Sequence, residues 1–173
     1  MQIVRLVYAS IARPDLHISE LMQIRKQAKT FNAAHDITGV LCYGSQAFLH
    51  LLEGSRDAVN ALYVRIVADP RHSQVVILSH SVTKKREFRE WPMKMISVDE
   101  PFASDRRAVL ALHTKTPKFD PMAMSGRQAI GLLRDLANIE RAHTASLENH
   151  LTQNTVAPPA AAKARLKGAK RSR

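Results

Sequence analysis

Two apolar segments, ITGVLCYG (37–44) and AFLHLLEG (47–54), follow each other with only a short turn between them. Each segment has the length and the bulky apolar residues of a buried strand. The turn residues Gly44 and Ser45 are typical of a tight connection. The pattern therefore predicts a β-hairpin in the middle of the folded part of the chain.

Strands and helices alternate on both sides of this hairpin. Before it, QIVRLVYA (2–9) predicts a strand, and apolar residues at helical spacing predict a helix over 19–34. After it, Ser55 is a good N-cap for a second amphipathic helix. Two further strands are predicted over 74–82 and 91–98.

The resulting order, βαββαβ, is that of an α+β, ferredoxin-like sheet of about five strands with two helices packed on one face. In that topology the first and third strands are usually neighbours. Their right-handed crossovers place both helices on the same side. Tyr8 and His50 are therefore expected close together beneath the two helices.

Two more helices are predicted after the sheet. One covers 105–115, and the other starts at Ser125, which has the spacing of a capping box with Gln128. The second helix carries an apolar stripe through to about His143. Such a stripe packs on the open face of the sheet or on a partner.

Positive charge is concentrated in TVAPPAAAKARLKGAKRSR (155–173), which has six Lys and Arg and no acid in a chain of net charge +11. A segment without aromatic residues cannot build a core. We therefore expect a domain over 1–98, a helical extension over 99–150 and a disordered basic tail over 151–173. Such a tail makes weak electrostatic contact with nucleic acid or an acidic partner, or only keeps the protein in solution.

Composition and motifs exclude several classes of protein. The single cysteine, Cys42, excludes an internal disulfide and a four-cysteine zinc site. No apolar run reaches the ~20 residues of a membrane span, and the first residues show no cleavable leader, so we expect a soluble, cytoplasmic protein that does not bind a membrane. The sequence contains no phosphate-binding glycine motif, no nucleophile elbow and no metal-binding histidine motif. We therefore expect neither a metal site nor an enzyme.

Five segments occur in a characteristic order and spacing: RLVYAS (5–10), FNAAHDITGVLCYG (31–44), FLHLLEG (48–54), YVRIVADPRH (63–72) and WPM (91–93). Together they resemble the BLUF domain, a flavin-binding sensor of blue light. The resemblance covers about residues 1–98. The two helices after residue 103 resemble the C-terminal pair of the short, stand-alone members.

The resemblance implies that FAD binds between the two helices of the sheet domain. Ile24 and Ile66 occupy positions, one on each helix, where the family holds the flavin ring between aliphatic side chains. Asn32 matches the residue whose amide holds the carbonyl edge of the ring, although the residues alone also suit a helix C-cap. Three further positions match the polar rim of the ring and the ribityl chain: Arg65, Asp69 and His72.

Tyr8 matches the electron donor of the family, and His50 stands where the family has a Gln whose amide rearranges after electron transfer; both also contact the cofactor. An amide has two donors and a carbonyl acceptor, whereas neutral imidazole has one donor and one acceptor on opposite sides of its ring. His50 can therefore accept a hydrogen bond from the Tyr8 hydroxyl, but it cannot exchange its donor and its acceptor by rotation, as an amide can. If it were protonated, it would place a cation beside the flavin. Trp91 and Met93 match the output residues of the family.

The resemblance therefore implies a blue-light photoreceptor that binds FAD and signals by a light-driven rearrangement of hydrogen bonds. We expect a downstream protein partner, contacted through the C-terminal helices, and a homo-oligomer. Two alternatives stay open. One is a photochemically silent or redox-responsive flavin-binding regulator, and the other is a nucleic-acid-associated module that uses the basic tail.

Overall fold

The structure, a computed structural model, describes residues 2–99, 104–114 and 118–155. The chain divides into two compact units, Met1–Glu140 and Arg141–Arg173. The first unit contains the whole sheet. The predicted basic tail lies, from residue 156 onward, outside the described residues.

The elements follow the predicted order. They are β1 (Ile3–Ala12), α1 (Ile18–Ala34), β2 (Thr38–Gly44), β3 (Ala47–Ser55), α2 (Arg56–Val67), β4 (His72–Thr83), β5 (Lys94–Ser97), α3 (Ser104–His113), a 3-10 helix (Pro121–Ala123) and α4 (Gly126–Thr155). Ser55 caps α2 as expected, since its side chain accepts a hydrogen bond from the Ala58 amide.

The strands form one five-stranded sheet in the order β4-β1-β3-β2-β5. β1 lies between β3 and β4 and is antiparallel to both. β2 pairs antiparallel with β3 and parallel with β5. β1 and β3 are thus neighbours, and the predicted α+β, ferredoxin-like fold is confirmed.

The hairpin between β2 and β3 turns at Ser45 and Gln46, one residue later than the sequence suggested. Both residues have positive φ, 46° and 57°, as a two-residue hairpin turn of the favoured hand requires. Gly44 instead ends the ladder, where it pairs with Ala47. Its lack of a side chain serves packing, because a Cβ there would collide with Val98.

Alternate residues of the central strands point to opposite faces of the sheet. On β1, Tyr8 points to the side that carries α1 and α2, which we call the cavity face. Val7 and Ala9 point to the other side, which we call the α4 face. An apolar core closes the α4 face, and α4 contributes these buried side chains to it: Ala129, Leu132, Leu133, Leu136 and Ala137.

The last helix is longer than predicted. Its start is capped as expected. The backbone amide of Ser125 donates to the side-chain oxygen of Gln128 at 3.0 Å, and the Ser125 hydroxyl accepts from the backbone amide of Gln128 at 3.3 Å. The helix then continues past His143 to Thr155, since neither Gly nor Pro interrupts this stretch. The apolar stripe was expected to pack on the open face of the sheet or on a partner. In the first part of the helix it packs on the sheet.

Strand β5 is shorter than predicted and covers Lys94–Ser97 instead of 91–98. Pro92 has no N–H to donate to a ladder, so regular pairing starts after it. The carbonyl before it is still used, since the Gly39 amide donates to Trp91 O at 3.0 Å. The other element boundaries shift by only a few residues.

Candidate cofactor-binding site

A cavity of about 570 Å³ lies on the cavity face of the sheet. Its lining comes from α1 and α2, from β1, β2 and β3, and from three segments: between β1 and α1, from α2 into β4, and just before β5. The volume lies within the range of small-molecule sites. All eight residues that the family resemblance assigns to the cofactor line it: Tyr8, Ile24, Asn32, His50, Arg65, Ile66, Asp69 and His72.

The walls of the cavity are largely aliphatic. Ile24 lines it from α1 and Ile66 from α2, while Leu41 and Leu62 add apolar surface. Such walls suit a flat aromatic ring. Neither isoleucine stands out as a ligand-binding residue by its own pattern, because each also fits the inward stripe of its helix.

Tyr8 and His50 form a buried, hydrogen-bonded pair in this lining. They lie directly opposite each other in the register of β1 and β3, and Tyr8 Oη is 2.9 Å from His50 Nδ1. Their exposed fractions are 1% and 3%. The sequence predicted that they are close together, and the antiparallel register of the two strands explains why.

Burial keeps both members of this pair uncharged. It raises the pKa of the Tyr8 phenol far above its usual value. It also lowers the pKa of His50 from 6.5 to about 3. The imidazole is therefore neutral at neutral pH. The protonated His50 that the sequence allowed does not form in this lining.

Asn32, near the end of α1, has an exposed fraction of 0%. Its amide nitrogen donates to the Pro92 carbonyl at 2.7 Å, which ties α1 to the segment before β5. The side chain therefore does not cap the helix. Backbone bonds close the helix end instead, since the Ile37 amide donates to the Asn32 carbonyl at 2.9 Å.

Two polar atoms of the lining are buried and have no hydrogen-bond partner among the described residues: Asn32 Oδ1 and His50 Nε2. Leaving such an atom unpaired costs about 1–3 kcal/mol, and native proteins do so rarely. The isoalloxazine ring of a flavin has flat faces for the aliphatic walls and an edge of carbonyls, an imide N–H and ring nitrogens for these two atoms. The lining therefore fits a flavin.

Charged and polar side chains define the rim of the cavity where α2 leads into β4. Arg71 Nε donates to Asp69 Oδ1 at 2.9 Å, and this hydrogen bond lowers the pKa of the carboxyl. His72 Nδ1 lies 2.8 Å from Ser10 Oγ, and burial lowers the pKa of this second imidazole. The rim thus combines a paired carboxylate with a neutral imidazole.

Some residues of the lining or its support were missed in the sequence. Ser10 could have been found, because it lies two positions after Tyr8 on β1 and strand alternation places both on one face. Arg71 stands beside two predicted rim residues. Phe31 lies under the Arg65 guanidinium, 4.5 Å from ring centre to the charged carbon, and no sequence rule predicts that contact.

The two predicted output residues lie on different faces. Met93 is buried and lines the cavity. Trp91 packs against the core of the α4 face, with its ring stacked on Phe88 and Lys94 Nζ 5.6 Å from its centre. The segment that contains them therefore contacts both faces of the sheet.

In residues 2–99, 104–114 and 118–155, no group of three or more His, Cys, Asp or Glu could hold a metal ion. Across the same residues, no helix has both the length and the apolar character that crossing a bilayer demands. Cys42 is buried, and burial raises the pKa of its thiol well above the usual value.

Fold and site together define a class of protein: an α+β domain with a ferredoxin-like sheet and, between two helices on one of its faces, a cavity whose lining fits a flat, polar-edged cofactor. The profile of the BLUF family, described as sensors of blue-light using FAD, matches residues 3–94. The chain belongs to the BLUF family. The predicted family and the predicted class of flavin-using blue-light sensor are thereby confirmed.

Relatives agree with this assignment. Photoactivated adenylate cyclase subunit beta of Euglena longa is 36% identical over 89 residues, which are 51% of this chain and 10% of that protein. The blue light- and temperature-regulated antirepressor BluF of Escherichia coli strain K12 is 30% identical over 93 residues, 54% of this chain and 23% of that protein. This chain thus spans between about a tenth and a quarter of the length of these curated relatives.

Among solved structures, the dark-state structure of BlrB, a BLUF protein, shares 26% sequence identity with this chain at a TM-score of 0.65. The match covers 80% of this chain and 97% of that one. The similarity therefore extends beyond the part that the family profile covers.

Proposed function

We propose that this chain is a blue-light sensor that binds FAD non-covalently in the cavity between α1 and α2. The observation that carries the proposal is the pair of buried polar atoms without partners, Asn32 Oδ1 and His50 Nε2, in a lining with aliphatic walls. The flavin, when bound, supplies the absorption of blue light and an electron acceptor. The polar edge of its ring would supply a hydrogen-bond partner to each of the two atoms.

The other lining residues have complementary roles in this proposal. Ile24 and Ile66 would hold the ring between them, and Asn32 Oδ1 would accept a hydrogen bond from the imide N–H of the ring. Their support is that they line one cavity from two helices. The rim of the ring and the ribityl chain would contact three residues: Arg65, Asp69 and His72.

Tyr8 is the proposed electron donor to the bound flavin, and His50 the proposed relay of its proton: Nδ1 would take up the phenol proton while Nε2 would release its own toward the ring, so that the buried imidazole stays neutral. Burial disfavours a charged phenol, so loss of an electron from Tyr8 favours loss of its proton as well. The acceptor atom is His50 Nδ1, 2.9 Å from the hydroxyl oxygen. The hydrogen bonding of both residues would change with that transfer, and this change is the proposed signal.

The proposed output is contact with a separate downstream protein and with a second copy of the chain, through the C-terminal helices. Leu112 of α3 and Leu147 of α4 are 79% and 65% exposed, which provides apolar surface for such contacts. Met93 and Trp91 would connect the cavity to the α4 face.

We assign no reaction to this chain. Its division into a domain, a helical extension and a tail at residues 98 and 150 stays a prediction, and so does its cytoplasmic location.

A redox-responsive or photochemically silent regulator is the second candidate. It is favoured by His50, because an imidazole cannot exchange its donor and acceptor by rotating, as the amide of Gln can. The nucleic-acid alternative rests on the basic tail, most of which lies outside the described residues. That alternative stays a prediction.

Visible absorption of the full chain, in the dark and under blue light, tests the proposal. We expect a flavin spectrum that shifts to the red in light and recovers in the dark, with FAD released on denaturation. Asn32→Ala should weaken FAD binding by roughly tenfold or more, because the ring loses its buried acceptor. Tyr8→Phe should retain the flavin and lose the response to light, because the redox-active hydroxyl is gone.

Tyr43→Phe is the matched control, since this tyrosine lies outside the cavity lining, and it should behave as the wild type does. A protein that binds no flavin would overturn the proposal. Bound flavin without any response to light would overturn the blue-light sensor and favour the second candidate, the redox-responsive or photochemically silent regulator. Release of another flavin would show that FAD is the wrong cofactor.

A further inference from the structure

The partners of Tyr8 and His50 decide where their protons lie. Among the described residues, the hydrogen-bond partner of the Tyr8 hydroxyl is His50 Nδ1. If Nδ1 donated to the phenol oxygen, the phenol proton would have no acceptor there. If the phenol donates to Nδ1 instead, Tyr8 is satisfied, and the imidazole proton has to be on Nε2.

Burial excludes the ionised alternatives. An imidazolium would carry protons on both nitrogens, but its pKa of about 3 keeps His50 neutral. A phenolate could accept from Nδ1, but burial raises the pKa of Tyr8. The pair is therefore neutral, with the phenol as donor to Nδ1 and with Nε2–H as a donor that has no partner of its own in the lining.

We propose that Tyr8 holds His50 in the Nε2–H tautomer, and that His50 thereby makes the site select oxidised flavin over two-electron-reduced flavin. This inference rests on the proposed function, because it takes the cavity to be the flavin site. In the oxidised ring, N5 and the neighbouring carbonyl oxygen are both acceptors. Reduction adds two electrons and puts a proton on N5, which becomes a donor and opposes the donor of His50.

A Gln at this position could turn its amide and present its carbonyl to the reduced ring. His50 cannot, because its other nitrogen is held by Tyr8. Asn32 is also held in one orientation, by the Pro92 carbonyl, and offers Oδ1. Its partner would be the imide N–H, which both redox forms carry. The discrimination is therefore expected from His50 and not from Asn32.

Nitrogen NMR of the full chain labelled at its histidines tests the tautomer directly. We expect the His50 signals, identified by their loss in His50→Gln, to show a protonated Nε2 and an unprotonated Nδ1. Tyr8→Phe should move both signals toward the average of the two tautomers, because the donor that holds Nδ1 is removed. A protonated Nδ1 in the wild type would overturn the proposal.

Dissociation constants for oxidised FAD and for FAD reduced with dithionite, measured without oxygen, test the selectivity. The wild type should bind the oxidised form tighter by roughly tenfold or more, as expected for two opposed buried donors. His50→Gln should bring this ratio toward one. His80→Gln, the same change at an exposed site on β4, should leave it unchanged, and Asn32→Ala should weaken both forms by the same factor.

The outcomes separate this inference from the proposed function. Equal affinities for both forms in the wild type, or a ratio that His50→Gln does not change, would overturn the selectivity while leaving the flavin site intact. Failure to bind either form of FAD would overturn the proposed function as well.

Discussion

The two faces of the sheet are built from the same strands, but they treat polar groups differently. On the α4 face the buried carboxylate of Glu53 accepts from Arg5 Nη2 at 2.6 Å and from the amide of Phe88 at 3.1 Å. On the cavity face, Asn32 and His50 each have one buried polar atom without a partner. One face satisfies its polar groups within the protein, and the other leaves two for a ligand.

Packing differs in the same sense. On the α4 face, Leu133 and its neighbours on α4 are fully buried against the strands. On the cavity face, α1 and α2 leave about 570 Å³ between them and the sheet. The α4 face therefore holds the largest cluster of buried apolar side chains, whereas the cavity face keeps room for a ligand.

The largest effect is expected from breaking the closed face. Leu133→Ala should lower the free energy of unfolding by about 2–5 kcal/mol, because it removes a fully buried side chain and leaves a cavity. Urea denaturation measures the loss. Val64→Ala is the control, since this valine of α2 is 68% exposed and lies outside the cavity lining, so its loss should not lower the free energy of unfolding by more than about 0.5 kcal/mol. A cost below about 1 kcal/mol for Leu133→Ala would contradict the close packing of this face.

A smaller, pH-dependent effect is expected from the cavity face. The pKa of His50 falls from 6.5 to about 3 on folding, so the folded chain resists protonation while the unfolded chain accepts it. The contribution to stability is therefore complete above pH 6.5 and is lost as the pH falls toward 3, by about 1.4 kcal/mol per pH unit. Denaturation at several pH values between about 7 and 5, without added flavin, measures the slope.

His50→Gln should remove about one proton from this pH dependence, because Gln does not titrate. His80→Gln should keep the wild-type slope, since His80 is exposed. Identical slopes for the wild type and His50→Gln would mean that the cavity face does not hold a buried neutral imidazole.

The smallest effect is expected at the β2–β3 turn, which belongs to neither face. Gln46 has a φ of 57°, a conformation that glycine adopts without strain. Gln46→Gly should therefore raise the free energy of unfolding by about 0.5 kcal/mol, measured by urea denaturation, and leave flavin affinity unchanged. Destabilisation by this change would argue against the positive φ, and a change in flavin affinity would argue that the turn is coupled to the cavity.

Much of the fold could be predicted because it depends on local patterns. Alternation along β1 and β3 put Tyr8 and His50 on one face, and the order of elements made the two strands neighbours. The sequence places the hairpin turn one residue too early, because Gly44 is a residue type typical of turns. In the structure its lack of a side chain makes room for Val98 instead. That role depends on a residue far away in the sequence.

The candidate site divides in the same way. The family resemblance assigned eight residues that all line one cavity. It did not predict that Asn32 donates to the Pro92 carbonyl, because sixty positions separate the two. Nor did it predict that Met93 and Trp91 lie on different faces, which follows from where regular pairing in β5 begins.

The order of strands and helices, the membership in the BLUF family and the imidazole at position 50 all follow from the residues of the chain. Only the folded arrangement shows which nitrogen of that imidazole is held by Tyr8 and which one is buried in the lining without a partner. The physical reason is that side-chain identity lists donors and acceptors, whereas their use depends on distance, burial and the partners that the fold brings within reach.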